Sequence, residues 1–278
     1  MIKKKKLLFI DLNWTYNRYY YVQSMKSPNK PQHATNKALL EFFKRIESNA
    51  DFDKVFVLVD GKNPQTMNLY ENYKGGRACK DEVYKGLEDF LKLASKLNNF
   101  IVLQNDLAEA DELIAYMCKK HHDHTNITIY SGDKDLLQLA TYSTVHVSNS
   151  YSQGLFTLLS TNEILNKFSN STKTKQIDSL DKILTYKVFK GDSSDNIPAP
   201  VKGIRFDQLL LFLDLLGTSP CFNEKQFMRA CSELKSTNKK LAEQLLEAQE
   251  DIKRNYKLIS LLDFTDKDYI VQNTMRVK

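Results

Sequence analysis

The feature that most constrains the fold is a series of short, continuous apolar runs, each with an acid at or soon after its C-terminal end. Residues 6–10 lead into Asp11, and residues 55–59 lead into Asp60. Residues 100–103 and 127–130 follow, with Glu109, Asp111 and Glu112 beyond the former and Asp133 and Asp135 beyond the latter. Apolar runs without polar alternation, separated by amphipathic stretches, read as buried parallel strands of an α/β sheet. Ligands of such sheets bind outside the carboxyl ends of the strands, which is where these acids fall. Residues 144–147 and 155–159, flanking Gly154, are expected to close the sheet as a strand pair.

Between the first two runs, residues 35–46 carry Leu39, Leu40, Phe43 and Ile46 at helical spacing. Residues 109–120 place Ala110, Leu113, Ile114 and Met117 on one side of a second helix, with acids in its first turn. The polar, patternless residues 169–175 mark a boundary, giving an expected first domain over 1–175 and a helical lobe over 176–278. Only helical patterns are expected in that lobe: 183–189, 206–216 and the basic tract 224–257. A chain of 278 residues has room for one or two domains.

Composition narrows the class. With 42% hydrophobic and 27% charged residues, the chain resembles an ordinary globular enzyme. No apolar run approaches the ~18 residues of a membrane span, and the basic start lacks a secretory core, so a cytoplasmic protein is expected. Cys79, Cys118, Cys221 and Cys231 show no C-x-x-C spacing, which argues against a zinc ribbon or disulfide framework. His121, His122 and His124 read as a polar loop and receive no site role.

Within Gly191, Asp192, Ser193, Ser194, Asp195 and Asn196, two carboxylates three residues apart are expected to share one face of a helical turn, where they repel without a cation. Any one acid at a strand end reads as a helix cap. Their number is the signal. Carboxylates about 4 Å apart repel by roughly 4 kcal/mol at an effective dielectric of about 20, so a shared pocket requires cations or protons. All-oxygen ligation selects Mg²⁺ or Mn²⁺ over zinc. Two such ions about 4 Å apart suit phosphodiester hydrolysis. The net charge of +6 makes the rest of the chain strongly basic once these acids are set aside, as a polyanion partner requires. Residues 61–96 add Tyr70, Tyr73, Lys74, Arg77, Lys80, Tyr84 and Lys85 around a Gly75, Gly76 break. This reads as a hinged basic projection whose rings and cations suit a single strand, with Lys74 or Arg77 neutralising a phosphate.

These words together resemble the 5′-nuclease superfamily of flap endonucleases and phage 5′→3′ exonucleases. The matching words are Phe9, Ile10, Asp11; Val59, Asp60, Gly61; Tyr73, Lys74, Gly75; Glu109, Ala110, Asp111, Glu112; Ser131 through Asp135; and Lys190 through Pro198. They occur in the family's order. Late features around residues 256–264 are most similar to the RNase H enzymes of large tailed phages. The resemblance implies a PIN-like α/β domain with a mostly parallel central sheet flanked by helices. It also implies a helical arch over about 61–98 and a helix-three-turn-helix over about 183–216 that grips duplex DNA. Asp11, Asp60, Glu109, Asp111 and Glu112 would surround one Mg²⁺, and Asp133, Asp135, Asp192 and Asp195 a second, with Mn²⁺ able to substitute. Lys74 and Arg77 would join Asp11 and Asp133 in catalysis. Tyr70, Tyr73, Lys74, Arg77, Lys80, Lys202 and Arg205 would contact nucleic acid, with the ring of Tyr73 stacked on a base.

The implied activity is Mg²⁺-dependent, structure-specific 5′-nuclease action on RNA primers and 5′ flaps during phage DNA replication. Its partners would be branched or nicked duplex DNA and RNA–DNA hybrids. The protein is expected to act as a monomer in the infected cell, with a single-strand-binding protein or sliding clamp as further partners. Glu112 departs from the usual Asp. In Gly203, Ile204, Arg205 the second glycine is replaced, which bears on the family's K⁺-assisted backbone grip; Met275 through Lys278 lack an apolar clamp-binding tail. Two rival readings stand beside it. A haloacid-dehalogenase-like phosphatase would use Asp11 as nucleophile but lacks the second acid at Asn13. An inactive branched-DNA-binding relative would bind flaps without cutting them.

Overall fold

In the computed structural model, which describes residues 4–49, 51–61, 69–74, 81–94, 97, 100–265 and 267–277, the four apolar runs form β1 (Lys5–Asp11), β2 (Lys54–Val59), β3 (Phe100–Asn105) and β4 (Thr125–Tyr130). β1 pairs in parallel with β2 and with β4, and β2 with β3. β5 (Val145–Ser152) joins β4 in parallel, and β6 (Leu155–Leu158) returns antiparallel to it. The sheet order is β6-β5-β4-β1-β2-β3-β7, with β7 (Thr274–Val277) antiparallel on β3. Leu7 to Ile10 are all buried because helices cover both faces of a parallel sheet.

α1 (Leu12–Lys26) follows β1 directly, and α2 (Pro31–Asn49) carries the predicted Leu39, Phe43 and Ile46 into the core. α1 has no apolar stripe, so periodicity does not announce it; Asp11 caps its start. α3 (Asp81–Ala94) and α4 (Ala110–His121) complete the helices around these strands. Phe43 is fully buried, with ring centroids of Phe90 at 5.5 Å and Phe100 at 4.9 Å. Truncating such a ring costs about 3–5 kcal/mol. After β4 comes a 3₁₀ segment, Asp135–Thr141, burying Leu136, Leu137 and Leu139.

Two compact units result. The first holds Met1–Asn63, Ala78–Leu159 and Phe264–Lys278; the second holds Pro64–Arg77 and Ser160–Asp263. Residues 160–175, up to the expected boundary, lie with the second unit. α11 (Asp268–Asn273) and β7 return to the sheet, where only helices were expected. The fully buried Asn105 fixes that return: its amide donates to the carbonyls of Tyr269 and Ile270 at 3.0 and 3.1 Å and to Thr274 Oγ1 at 3.2 Å.

The second unit is helical: α5 (Thr161–Asn166), α6 (Ile183–Lys190), α7 (Phe206–Leu216), α8 (Glu224–Lys235), α9 (Lys239–Glu247) and α10 (Gln249–Ile259). α6 and α7, joined by a turn-rich link, occupy the helix-three-turn-helix span expected over 183–216. Phe189 and Phe212 meet across them at 5.1 Å, and buried Asn255 of α10 donates to the carbonyls of Val188 and Pro198 at 3.1 and 2.9 Å. Asn223 and Asn238 cap α8 and α9 through their side chains, and the basic tract turns once more at Ala248, which makes no side-chain cap, before α10.

Candidate metal centre

Asp11 stands at the carboxyl end of β1 and is 6% exposed. Its Oδ1 accepts the Trp14 N–H at 3.0 Å and its Oδ2 accepts the Ser131 hydroxyl at 2.7 Å. Ser131, just after β4, also accepts the Asp133 N–H at 3.0 Å, and Asp133 Oδ1 accepts the Asp135 N–H at 2.9 Å. One serine thus links the loop after β4 to the acid after β1. Burial, then the charge of Asp60, and more weakly that of Asp133, push the Asp11 carboxyl from 3.8 to about 7, against the opposing hydrogen bonds of Trp14 and Ser131.

Asp60 follows β2. Its N–H donates to Asn13 Oδ1 at 3.0 Å, and its Oδ1 accepts the Ala110 N–H at 2.8 Å. That second bond ties it to the start of α4, where Glu109 is the N-cap and Asp111 and Glu112 occupy the first turn. Gly61 has no room for a side chain: a Cβ there would lie 1.8 Å from the Asn105 carbonyl oxygen. Asn13, the position at which a phosphatase of the rival class needs an acid, is committed here to holding the Asp60 backbone.

Glu112 closes a capping box, its Oε2 accepting the Glu109 N–H at 3.1 Å. Its Oε1 takes the Tyr269 hydroxyl at 3.0 Å and the Lys267 ammonium at 3.2 Å. Burial, then the negative charge and hydrogen bond of Glu112 and the nearby Asp111 and Glu109, push the Tyr269 phenol up. Neither Lys267 nor Tyr269 carries a motif that sequence reading could flag.

In the second unit, residues 191–196 form a tight turn and not the expected helical turn. Asp192 and Ile197 exchange backbone hydrogen bonds at 2.8 and 2.7 Å, and Gly191 adopts φ +71°. A Cβ at Gly191 would meet Ala199 N and Ile197 O at 2.6 Å, so the turn requires glycine on two counts. Asp192 Oδ2 pairs with the Lys187 ammonium at 2.8 Å, and its Oδ1 accepts the Ser194 N–H at 2.8 Å. Burial raises the Asp192 pKa, but Lys187 and Ser194 outweigh it and hold the carboxyl down to about 2. Lys187 is 7% exposed, a charged residue inside the apolar pattern of α6; that interruption is the signal that could have marked it.

Asp195 is buried, and its Oδ2 accepts the Tyr73 hydroxyl at 3.3 Å. Its carbonyl accepts the Lys74 N–H at 3.0 Å, and Lys74 holds φ 54° with its ammonium 5.0 Å from the Tyr73 ring. Tyr73 is only 6% exposed, so the ring expected to stack on a base is instead packed inside the unit. Tyr70 lies under the Arg254 guanidinium at 4.8 Å. Lys202 and Arg205 are exposed in the link before α7, and Arg205 pairs with Asp207 at 3.3 Å. Arg77 and Lys80 lie outside the described residues, as do 62–68, 75–80, 95, 96 and 98 of the expected arch.

Among the described residues, no three His, Cys, Asp or Glu side chains stand in a metal-holding arrangement. The donor chemistry nonetheless fits a hard divalent ion. Asp60 and Asp133 are both near enough to raise the Asp11 carboxyl through their charge, and all donors are carboxylate oxygens. A divalent cation would offset the burial, and the repulsion from Asp60 and Asp133, that together raise the Asp11 carboxyl.

A mostly parallel sheet with carboxylates gathered beyond its strands, joined to helices, is a PIN-like, resolvase-like α/β fold. Residues 6–169 match the family model described as 5′-3′ exonuclease, N-terminal resolvase-like domain, and the chain belongs to that family. It is 30% identical over 202 residues to a 5′-3′ exonuclease of Mycoplasmopsis pulmonis, spanning 70% of this chain and 62% of that protein. It is 31% identical over 212 residues to DNA polymerase I of Streptococcus pneumoniae, covering 72% of this chain and 23% of the polymerase. The chain thus spans less than two thirds of these relatives. In fold it is similar to the T5 5′-exonuclease (TM-score 0.66, 17% identity, 97% of this chain and 96% of that one). It is also similar to the bacteriophage T5 flap endonuclease in a pseudo-enzyme–product complex with DNA and metal ions (TM-score 0.68, 18% identity, 96% and 93%). No helix among the described residues is long and apolar enough to cross a membrane.

Proposed function

We propose that the chain is a divalent-metal-dependent, structure-specific 5′-nuclease. It hydrolyses phosphodiester bonds near 5′ ends, and its substrates are 5′ flaps and RNA primers on duplex DNA during phage replication. The observation that carries this reading is the buried carboxyl of Asp11, raised to about 7 by burial and by Asp60 and Asp133 at the strand ends. The names of the relatives, 5′-3′ exonuclease and DNA polymerase I, support the same substrate class.

Asp11, Asp60, Glu109, Asp111, Asp133 and Asp135, with Asp192 and Asp195, are the oxygen donors proposed to hold Mg²⁺ or Mn²⁺. Bound ions of this kind lower the pKa of a water and polarise the phosphoryl oxygen. The chain's own groups do the remaining work. Ser131 holds Asp11 in one orientation while it positions the Asp133 backbone. Lys74 and Arg77 neutralise charge on the scissile phosphate. Lys202 and Arg205, both exposed, contact duplex phosphates, which fix register and carry no sequence information.

The test is an assay with end-labelled flap, nicked and RNA-primed duplexes, with Mg²⁺ and with EDTA. Short 5′-derived products that require Mg²⁺ are expected. Intact substrate in every lane, with binding retained in Ca²⁺, would leave the chain as a branched-DNA-binding protein.

A further inference from the structure

The start of α4 carries three acids, Glu109 at the N-cap and Asp111 and Glu112 in the first turn, and the contacts of one set it apart. Glu112 is 7% exposed, and three donors converge on its carboxylate: the Glu109 N–H at 3.1 Å, the Tyr269 hydroxyl at 3.0 Å and the Lys267 ammonium at 3.2 Å. A carboxylate has about four acceptor positions, so little of Glu112 is left to offer a metal. Its negative charge is matched by a lysine that is itself 16% exposed, in a pair largely withdrawn from water. A glutamate is also what a capping box demands at this position, because its extra methylene lets the carboxylate fold back on the N-cap N–H. The same reach brings it to Lys267 and Tyr269.

Resting on the functional reading above, we infer that Glu112 is a brace and not a metal ligand: Lys267 and Tyr269 are positioning residues that hold it, and through it the turn from which Glu109 and Asp111 project. Lys267 is the standing counter-ion of Glu112. The ion-binding charge of this turn then comes from Glu109 and Asp111 alone. Asn105 anchors the supporting segment by taking the carbonyls of Tyr269 and Ile270, so the brace is built into the sheet edge.

Binding of Mn²⁺ alone to the full chain, followed by electron paramagnetic resonance, separates the two roles without any turnover. The charge-neutral double variant Glu112→Gln with Lys267→Met keeps an acceptor for the cap and is expected to bind Mn²⁺ within about twofold of the unmodified chain. Asp133→Asn is expected to weaken binding by about tenfold or more in the same titration. Lys267→Met alone bares a carboxylate and is expected to tighten Mn²⁺ several-fold, an effect that Glu112→Gln reverses and Lys267→Arg does not produce. A double variant that loses as much affinity as Asp133→Asn would make Glu112 a ligand and overturn the inference. An unmodified chain that binds no Mn²⁺ would overturn the functional reading itself, a result distinct from either.

Discussion

The Tyr73 hydroxyl donates to Asp195 Oδ2 at 3.3 Å while the Asp195 carbonyl accepts the neighbouring Lys74 N–H at 3.0 Å. One buried acid therefore ties a tyrosine and a lysine to the tight turn that carries Asp192. Tyr73→Phe removes one donor from a carboxylate that is 8% exposed, and is expected to destabilise the protein by about 1–3 kcal/mol. Denaturant unfolding measures this; an unchanged midpoint would mean that water replaces the hydroxyl without cost.

Lys74→Ala should slow cleavage by about 100-fold while leaving duplex affinity nearly intact, because its proposed role is to meet charge that develops on the phosphate. Single-turnover rates beside binding isotherms distinguish the two effects. A parallel loss of affinity would make Lys74 a binding residue only.

Asp133→Asn and Asp192→Asn should each reduce cleavage by at least about 100-fold with the circular dichroism spectrum unchanged. Asp133 is exposed and its Oδ1 accepts the Asp135 N–H, a bond that the Asn side-chain oxygen can keep. Near-normal rates in either variant would remove that acid from the site.

The Asp11 carboxyl sets a pH dependence for the metal-free protein. Its folded pKa of about 7 lies above its ordinary 3.8, so between those values the folded chain binds the extra proton. Stability in EDTA should therefore fall as pH rises from about 4 to about 7 and level off above. Mg²⁺ should raise the melting temperature more at pH 8 than at pH 5. Scanning calorimetry across that range would contradict the assignment if the EDTA curve rose instead.

Lys187 and Asp192 give the opposite sign. The Asp192 carboxyl is held down to about 2, so its pairing contributes stability above about 4 that is lost as pH falls through about 2. Lys187→Met leaves Asp192 without its cation and should cost about 3 kcal/mol at neutral pH. The gap to the unmodified protein should close towards pH 2; a gap independent of pH would point to lost packing alone.

The strands were legible because buried parallel strands must be uniformly apolar: the runs over 6–10, 55–59, 100–103 and 127–130 each lie inside an observed strand. α7 was read to the residue because its apolar face repeats cleanly. α1 was not legible, since its tyrosines and polar residues make no stripe and its place is set by the Asp11 cap and packing against α2. β7 was missed because four residues carry no period, and its register depends on Asn105, some 170 positions earlier in the chain. In the site, the acids showed themselves by chemistry and spacing. Their partners Lys267 and Tyr269 did not, because a hydrogen bond between distant residues leaves no local trace, and Lys187 left only its interruption of the apolar pattern of α6. Tyr73 was misread for the same reason: composition showed a ring in a basic stretch, and only packing shows it buried.

The antiparallel pairing of residues 274–277 with β3 has a consequence for synthesis. A ribosome must translate all of residues 160–263 before that edge can be covered, so the nascent chain carries an unfinished sheet for most of its production. Segments so far apart in sequence find each other slowly. Lys267 and Tyr269 emerge in that same last stretch, so a chain made only as far as residue 263 would already contain every acid of the site but not yet the lysine that balances Glu112.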